Sequence, residues 1–287
     1  MASLPSYRHF ALTVVVLCVP LVSHQGAHGG WLWGGDYSGT VSRIDPDTGD
    51  ETPVFQFPFE GDVPWTINGL AFDPGNNRMV GVTGGDLFDD PIVLFQFNPH
   101  STNPVPAVIG TYEPVTSAQY VTGLAFDDSG FLYLSEKNAL DDQLVQFDLD
   151  NMSVVNVYDL PAPANYNTNG LDSGRSPGEI LAIHGSDELV FSIDVPGGPT
   201  ATIGSFSQVG FTNAIAFDPE NGRFFMSDTR LIEFDPYASG VMRVVSDASY
   251  NGLAYAPVPE PSGLLLVLAA MLAIISKYLP GGRDRSR

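Results

Sequence analysis

Asn68-Gly-Leu-Ala-Phe-Asp73 returns four more times along the chain. The later copies are Thr122-Gly-Leu-Ala-Phe-Asp127, Asn169-Gly-Leu-Asp172, Asn213-Ala-Ile-Ala-Phe-Asp218 and Asn251-Gly-Leu-Ala-Tyr255. Their first residues lie 54, 47, 44 and 38 positions apart. A period near 40 to 50, with several strands in each unit, is the signature of a β-propeller.

The segments between the copies read as strands. After Thr122 come Phe131–Ser135, Gln143–Phe147 and Val154–Tyr158, rich in β-branched and aromatic residues and bounded by Asp, Gly or Asn. After Asn68 the series is Arg78–Val82, Ile92–Phe97 and Ala107–Gly110; after Asn213 it is Arg223–Ser227, Leu231–Phe234 and Val241–Val245. Asp127-Asp-Ser-Gly130 and Asp218-Pro-Glu-Asn-Gly222 are hairpin turns in which glycine supplies a positive φ. The unit at Asn169 is the irregular one. Its Ser173-Gly-Arg-Ser-Pro-Gly178 reads as a longer loop, and if its first strand were absent, Gly178–His184 would take that place.

The two ends complete one another. The front offers three strands, Trp31–Gly34, Thr40–Ile44 and Thr52–Phe57, and Asn251–Tyr255 is one strand left over at the back. Together they make a blade, which gives an all-β, five-bladed propeller closed by its N- and C-terminal strands and removes an exposed edge. Phe72-Asp-Pro74, Phe217-Asp-Pro219 and Asp45-Pro-Asp-Thr-Gly49 resemble the turns of lactonase-like, NHL-like and quinoprotein-like propellers. That resemblance covers most of residues 30–256. It implies an architecture and transfers no activity.

The flanks carry targeting patterns. Arg8 and His9 precede an apolar stretch from Phe10 to Val22, followed by small and polar residues through Ala27-His28-Gly29. Residues 1–29 read as a signal peptide with an N-terminal helix, cut after Ser23 or Gly29. Cys18, the single cysteine, lies inside that stretch, so cysteine chemistry is excluded from the exported part. Residues 257–287 begin with Val258-Pro259-Glu260-Pro261-Ser262. Eighteen mainly apolar residues, 262–279, follow, and a basic tail, 280–287, carries Arg283, Arg285 and Arg287. A spanning helix needs about 20 residues, so this transmembrane helix is short but usable with Lys277 at the interface. The basic tail places its end in the cytoplasm.

Motif, short apolar helix and arginines together resemble the PEP-CTERM sorting signal of bacterial surface proteins. The same tail is also known as the C-terminal region of some ice-binding proteins, although no threonine ladder accompanies it here. The resemblance implies an exosortase-like processing enzyme as partner, membrane attachment before processing, and residence in the cell envelope or extracellular matrix. PEP-CTERM-like proteins carry diverse ectodomains, often linked to exopolysaccharide, so polysaccharide or a surface protein is the implied ligand.

Charge narrows the partners further. The chain has 33 Asp and Glu against 12 Lys and Arg; between Gly30 and Pro259 the count is 31 against seven. Nucleic acid, a polyanion, is disfavoured. No HExxH and no phosphate-cradling loop is present, and His100 and His184 are far apart in the sequence. The expected function is therefore a non-catalytic binding platform on an exported protein. The alternative is a calcium-dependent propeller hydrolase or lactonase, which requires carboxylates facing the axis.

Three sets of side chains are candidate binding groups. Asp45, Asp47 and Asp50 are the candidate calcium ligands; against this stands ordinary Asx-turn chemistry. Asn68, Thr122, Asn169, Asn213 and Asn251 are the candidate channel ring, able to hold an ion, waters or a small ligand. The competing reading has them bonding backbone between blades. Tyr37, Trp65, Tyr120 and Tyr166 are loop aromatics suited to stacking on sugars or to capping blade ends. Apart from calcium, no cofactor is expected.

Overall fold

A computed structural model gives the fold of residues 29–57, 65–84, 92–115, 120–137, 142–160, 168–185, 189–195, 200–205, 212–238 and 240–258. These described residues form five four-stranded antiparallel sheets. The second blade holds β4 (Thr66–Asp73), β5 (Arg78–Gly84), β6 (Ile92–Phe97) and β7 (Ala107–Tyr112). In the third are β8 (Tyr120–Phe126), β9 (Leu132–Lys137), β10 (Gln143–Asp148) and β11 (Ser153–Asp159). The fourth contains β12 (Thr168–Ser173), β13 (Glu179–His184), β14 (Leu189–Asp194) and β15 (Thr200–Ser205). The fifth contains β16 (Ala214–Asp218), β17 (Arg223–Ser227), β18 (Leu231–Asp235) and β19 (Gly240–Ser246).

The first blade joins the two ends of the fold. Its order is β20 (Gly252–Pro257), β1 (Gly30–Gly35), β2 (Thr40–Ile44) and β3 (Glu51–Gln56). β20 pairs antiparallel with β1 from Gly30↔Pro257 to Gly35↔Gly252. One more bond, Val258 N–H to Gly29 O at 2.7 Å, extends the pairing outward. The irregular unit at Asn169 keeps its first strand: β12 pairs with β13 in a complete blade, and residues 174–178 form the loop between them.

The repeat explains itself in the packing. β4, β8, β12, β16 and β20 are the inner strands, each beside the next around the axis. In four of the five copies the Leu or Ile and the following Ala point in opposite directions, as the two-residue strand period requires. Leu70 packs with Ala254 of the preceding blade, while Ala71 packs with Leu124 and Phe126 of the following one. The inter-blade seams are therefore the core, filled by rings such as Phe95, Phe97, Phe126, Phe191, Phe225 and Phe234.

The glycine of each copy has a different job. A Cβ on Gly123 would sit 2.6 Å from Leu171 N, and one on Gly252 would sit 2.8 Å from the Gly69 carbonyl carbon. On Gly170 it would meet Ala214 Cα at 2.9 Å, and on Gly69 it would meet Leu124 Cγ at 3.1 Å. Gly69, Gly123, Gly170, Ala214 and Gly252 thus form one small-residue ring in which five inner strands touch. With only five blades the inner strands converge closely, and at Gly123, Gly170 and Gly252 even a methyl is too close to backbone. The hairpin glycines behave as the turn reading requires: Gly130 has φ +85° and Gly222 has φ +66°.

The terminal segments expected to be a signal helix and a transmembrane helix lie outside the described residues, as do Pro259, Glu260, Pro261 and Ser262 and the tail arginines. Among the described residues no helix is long and apolar enough to cross a membrane.

Candidate functional site

The inner strands all begin at the same end of the propeller, and there the repeat-start residues gather. In β4 the register passes from Ile67↔Thr83 to Gly69↔Val82, which leaves Asn68 as an extra residue. β8 steps in the same way around Thr122, and β12 around Asn169. These are β-bulges, which turn a side chain away from the ladder. Asn213 and Asn251 occupy the equivalent step just before β16 and β20, with their N–H groups donated to Ser227 O and Gly35 O, both at 2.8 Å.

The sequence expectation was that these five residues line the channel. Thr122 and Asn251 line the narrow space on the axis. The axis itself is closed by the glycine ring, Leu70, Leu124, Leu171, Ile215 and Leu253, and no water-sized sphere fits between them. The five polar residues stand at the start of the inner strands, around the mouth of this space. Part of the ring bonds neighbouring backbone: Thr122 Oγ1 donates to Thr168 O at 2.7 Å, and Asn169 Nδ2 donates to Thr212 O at 2.8 Å. The other side is more loosely tied. Asn213 Nδ2 reaches Asn251 Oδ1 and Tyr37 Oη, each at 3.4 Å.

The ends of the second strands form an outer circle that sequence reasoning missed. Moving around the mouth, the positions are Tyr37, Gly84, Lys137, Gly185 and Thr229. Gly84 and Gly185 leave room for the ring amides: a Cβ there would fall 2.4 Å from Asn68 Nδ2 and 2.2 Å from Asn169 Nδ2. Lys137 Nζ donates to Asn169 Oδ1 at 3.0 Å. Burial lowers the affinity of this amine for its proton, and the Asp142 carboxylate partly restores it. Asp142 in turn accepts the Thr168 N–H at 2.5 Å. Lys137 is the only lysine between Gly30 and Pro257. That scarcity was the available sequence signal for its role.

Just behind the mouth, buried polar groups hold the strand ends. Glu136 Oε1 accepts the Tyr112 hydroxyl and, at 2.9 Å, the Val115 N–H. Burial followed by this carboxylate pushes the Tyr112 phenol well above its ordinary value. His184 and Asp228 are likewise buried.

The opposite end carries the acidic turns, and their carboxylates are engaged locally. Asp45 Oδ1 accepts the Asp47 and Thr48 N–H groups at 2.8 and 3.0 Å. Asp47 Oδ1 lies 2.6 Å from Arg223 Nη1. Asp50 is exposed at the end of the turn, with its N–H on Thr48 Oγ1 at 3.1 Å. Asp127, Asp148, Asp218 and Asp235 cap their turns in the same manner. Among the described residues no group of three or more Asp, Glu, His or Cys is arranged to hold a metal ion. A shallow cleft of about 140 Å³ at this end is lined by Asp127, Asp128, Ser173, Arg175, Ser176 and Glu179, with Arg175 and Glu179 paired at 2.6 Å.

Of the loop aromatics, Tyr37 is 57% exposed at the mouth, whereas Trp65 is half-buried against Phe57. The placement of the Tyr120 side chain and of Tyr166 lies outside the described residues. His100, in its turn, shares a 2.9 Å hydrogen bond with Asn77 Oδ1.

One buried carboxylate departs from the repeat. Asp172 stands where the other copies have Ala71, Ala125, Ala216 and Ala254, all fully buried. It faces the fifth blade, accepting the Phe217 N–H on Oδ2 and its neighbour Ser173 N–H on Oδ1 at 2.8 Å. Burial pushes its pKa up to about 7, against the two N–H bonds.

No protein-family model and no curated protein matches the chain. Solved structures do resemble it. One chain from the crystal structure of a nidogen/laminin complex has a TM-score of 0.53 at 12% identity, covering 79% of this chain and 98% of that one. TolB from Acinetobacter baumannii gives 0.49 at 12% identity over 79% of this chain and 55% of that one. A luciferin-regenerating enzyme gives 0.45 at 12% identity over 78% of each chain. At these identities the likeness is to the β-propeller fold alone.

Proposed function

We propose that this protein is exported, sorted at the cell envelope by an exosortase-like enzyme, and serves there as a non-catalytic binding platform. The platform is the channel mouth. The observation that carries the reading is a ring of amide and hydroxyl side chains at the start of the five inner strands, around a closed axis. Such a mouth offers hydrogen-bonding groups on a rigid support. Carboxylates facing the axis would favour the hydrolase alternative; the ring positions are Asn68, Thr122, Asn169, Asn213 and Asn251. The ligand is a polysaccharide or a surface protein.

Export and sorting rest on the sequence patterns at the two ends. Mass spectrometry of envelope protein should find no peptide extending past the Pro259-Glu260-Pro261 region. Substituting Glu260 should leave the protein in the membrane. Recovery of molecules ending at Arg287 as the main species would reduce the tail to a simple anchor. Turnover of a lactone or ester, lost on mutating a mouth residue, would overturn the non-catalytic reading.

A further inference from the structure

The mouth is chemically uneven, and its loosest sector is the most informative. On the side of the third and fourth blades the ring groups are tied at 2.7 to 3.0 Å to backbone carbonyls and to Lys137. On the side of the fifth and first blades, Asn213 and Asn251 meet at 3.4 Å, and Tyr37 Oη lies 3.4 Å from the same Asn213 amide. These contacts lie at the long end of hydrogen bonding, so both amides have capacity for stronger partners. Beside them Thr212 Oγ1 is fully buried and has no hydrogen-bond partner. Tyr37 presents an exposed phenol in the same sector.

We infer that Tyr37, Asn213 and Asn251 form a subsite for a neutral pyranose ring. This rests on the platform reading above and specifies its ligand. A primary amide offers a donor and an acceptor side by side, which matches vicinal hydroxyls. An exposed phenol supplies a flat apolar face for the C–H side of a sugar, with a polar tip toward solvent. Charge selects among sugars. The region from Gly30 to Pro259 carries 31 acidic residues against seven basic ones, so an anionic glycan is repelled on approach. Lys137, the one cation among the outer-circle positions, is already held by Asn169. The same neutral ring occurs in free oligosaccharides and within polymers.

The test is calorimetry on the full chain with a panel of neutral probes: cellohexaose, laminarihexaose, maltoheptaose and mannohexaose, with the parent polymers alongside. At least one probe should bind, and Tyr37→Ala or Asn213→Ala should weaken it by about tenfold or more. Tyr37→Phe should retain most of the affinity, and Tyr237→Ala, an exposed tyrosine at the opposite end, should leave it unchanged. Thermal melting of each variant separates lost binding from lost folding. Oligosaccharide and polymer bound equally marks a single-ring subsite; binding of polymer alone, still sensitive to Tyr37, marks an extended one. No binding across the panel, or binding indifferent to Tyr37, overturns the inference. Binding of polygalacturonate or of a protein that depends on Asn213 also overturns it, while leaving the platform reading intact.

Discussion

Arg223 Nη1 lies 2.6 Å from Asp47 Oδ1, although 176 residues separate them in sequence. The contact crosses from the fifth blade to the turn between β2 and β3 of the first. Arg243 reinforces it by donating to Asp47 O at 2.6 Å and to Pro46 O, while its Nε holds Glu233 at 2.8 Å. Arg223 Nε also reaches Asp218, a fully buried carboxylate, at 3.2 Å. Asp47 therefore acts at the seam where the circle closes.

Removing the two partners should not be equivalent. Asp47 is half exposed, so Asp47→Ala should cost only about 0.2–1 kcal/mol. Arg223→Ala strips a partner from buried Asp218 and should cost more, about 1–3 kcal/mol. Urea unfolding of both variants gives the comparison, and a larger loss for Asp47→Ala would contradict this account of the seam.

The small-residue ring predicts a graded series. Gly123→Ala should be the most damaging, because the new methyl would meet backbone nitrogen at 2.6 Å. Gly252→Ala and Gly170→Ala should follow, and Gly69→Ala should be mildest, with its nearest atom at 3.1 Å. Losses of about 1–3 kcal/mol are expected for the tight positions. Ala214 shows that one methyl is accommodated where the fifth copy departs from glycine. Equal losses across the series would mean that strand propensity, rather than contact, sets the cost.

Asp172 should impose a pH dependence on stability. Its folded pKa, about 7, lies above the ordinary 3.8, so between roughly pH 4 and 7 the folded chain holds a proton that the unfolded chain has lost. Stability contributed by that proton is complete below pH 4 and declines as pH rises to 7. The expected fall is roughly 2–4 kcal/mol. Denaturation curves across this range should show it, and Asp172→Ala should flatten that part of the profile. An unchanged slope in the variant would assign the dependence to other groups.

Lys137 should titrate below a normal lysine. The sequence holds two lysines, Lys137 and Lys277, so ¹³C-methylated side chains give an easily assigned spectrum. Asp142→Asn should lower the Lys137 value further, since the carboxylate opposes the effect of burial. Gly185→Ala should disturb the same signal by displacing the Asn169 amide.

Blade number, closure and hairpins were legible because each is a local rule repeated: glycine at the crowded axis, alternating Leu and Ala across the seams, Asp and Gly in the turns. The mouth was less legible. Asn68, Thr122 and Asn169 look like turn residues in sequence, and only the register of the neighbouring strand reveals them as bulges. Tyr37 and Lys137 lie far from the repeat starts in sequence, and the strand pairing brings them together. β14 and β15 also escaped notice, because Leu189–Asp194 and Thr200–Ser205 follow an irregular loop that breaks the spacing. Asp45 fitted both a cation loop and an Asx turn; the backbone N–H groups it accepts favour the turn.

The pairing of β20 with β1 has a mechanical consequence. A load applied at Val258 and directed away from the mouth runs along β20 rather than across it. Every rung from Gly30↔Pro257 to Gly35↔Gly252 is then sheared together, instead of being peeled one at a time. The strand that closes the circle is thus also the one best arranged to bear tension, and a pulled propeller should resist until the whole ladder slips at once.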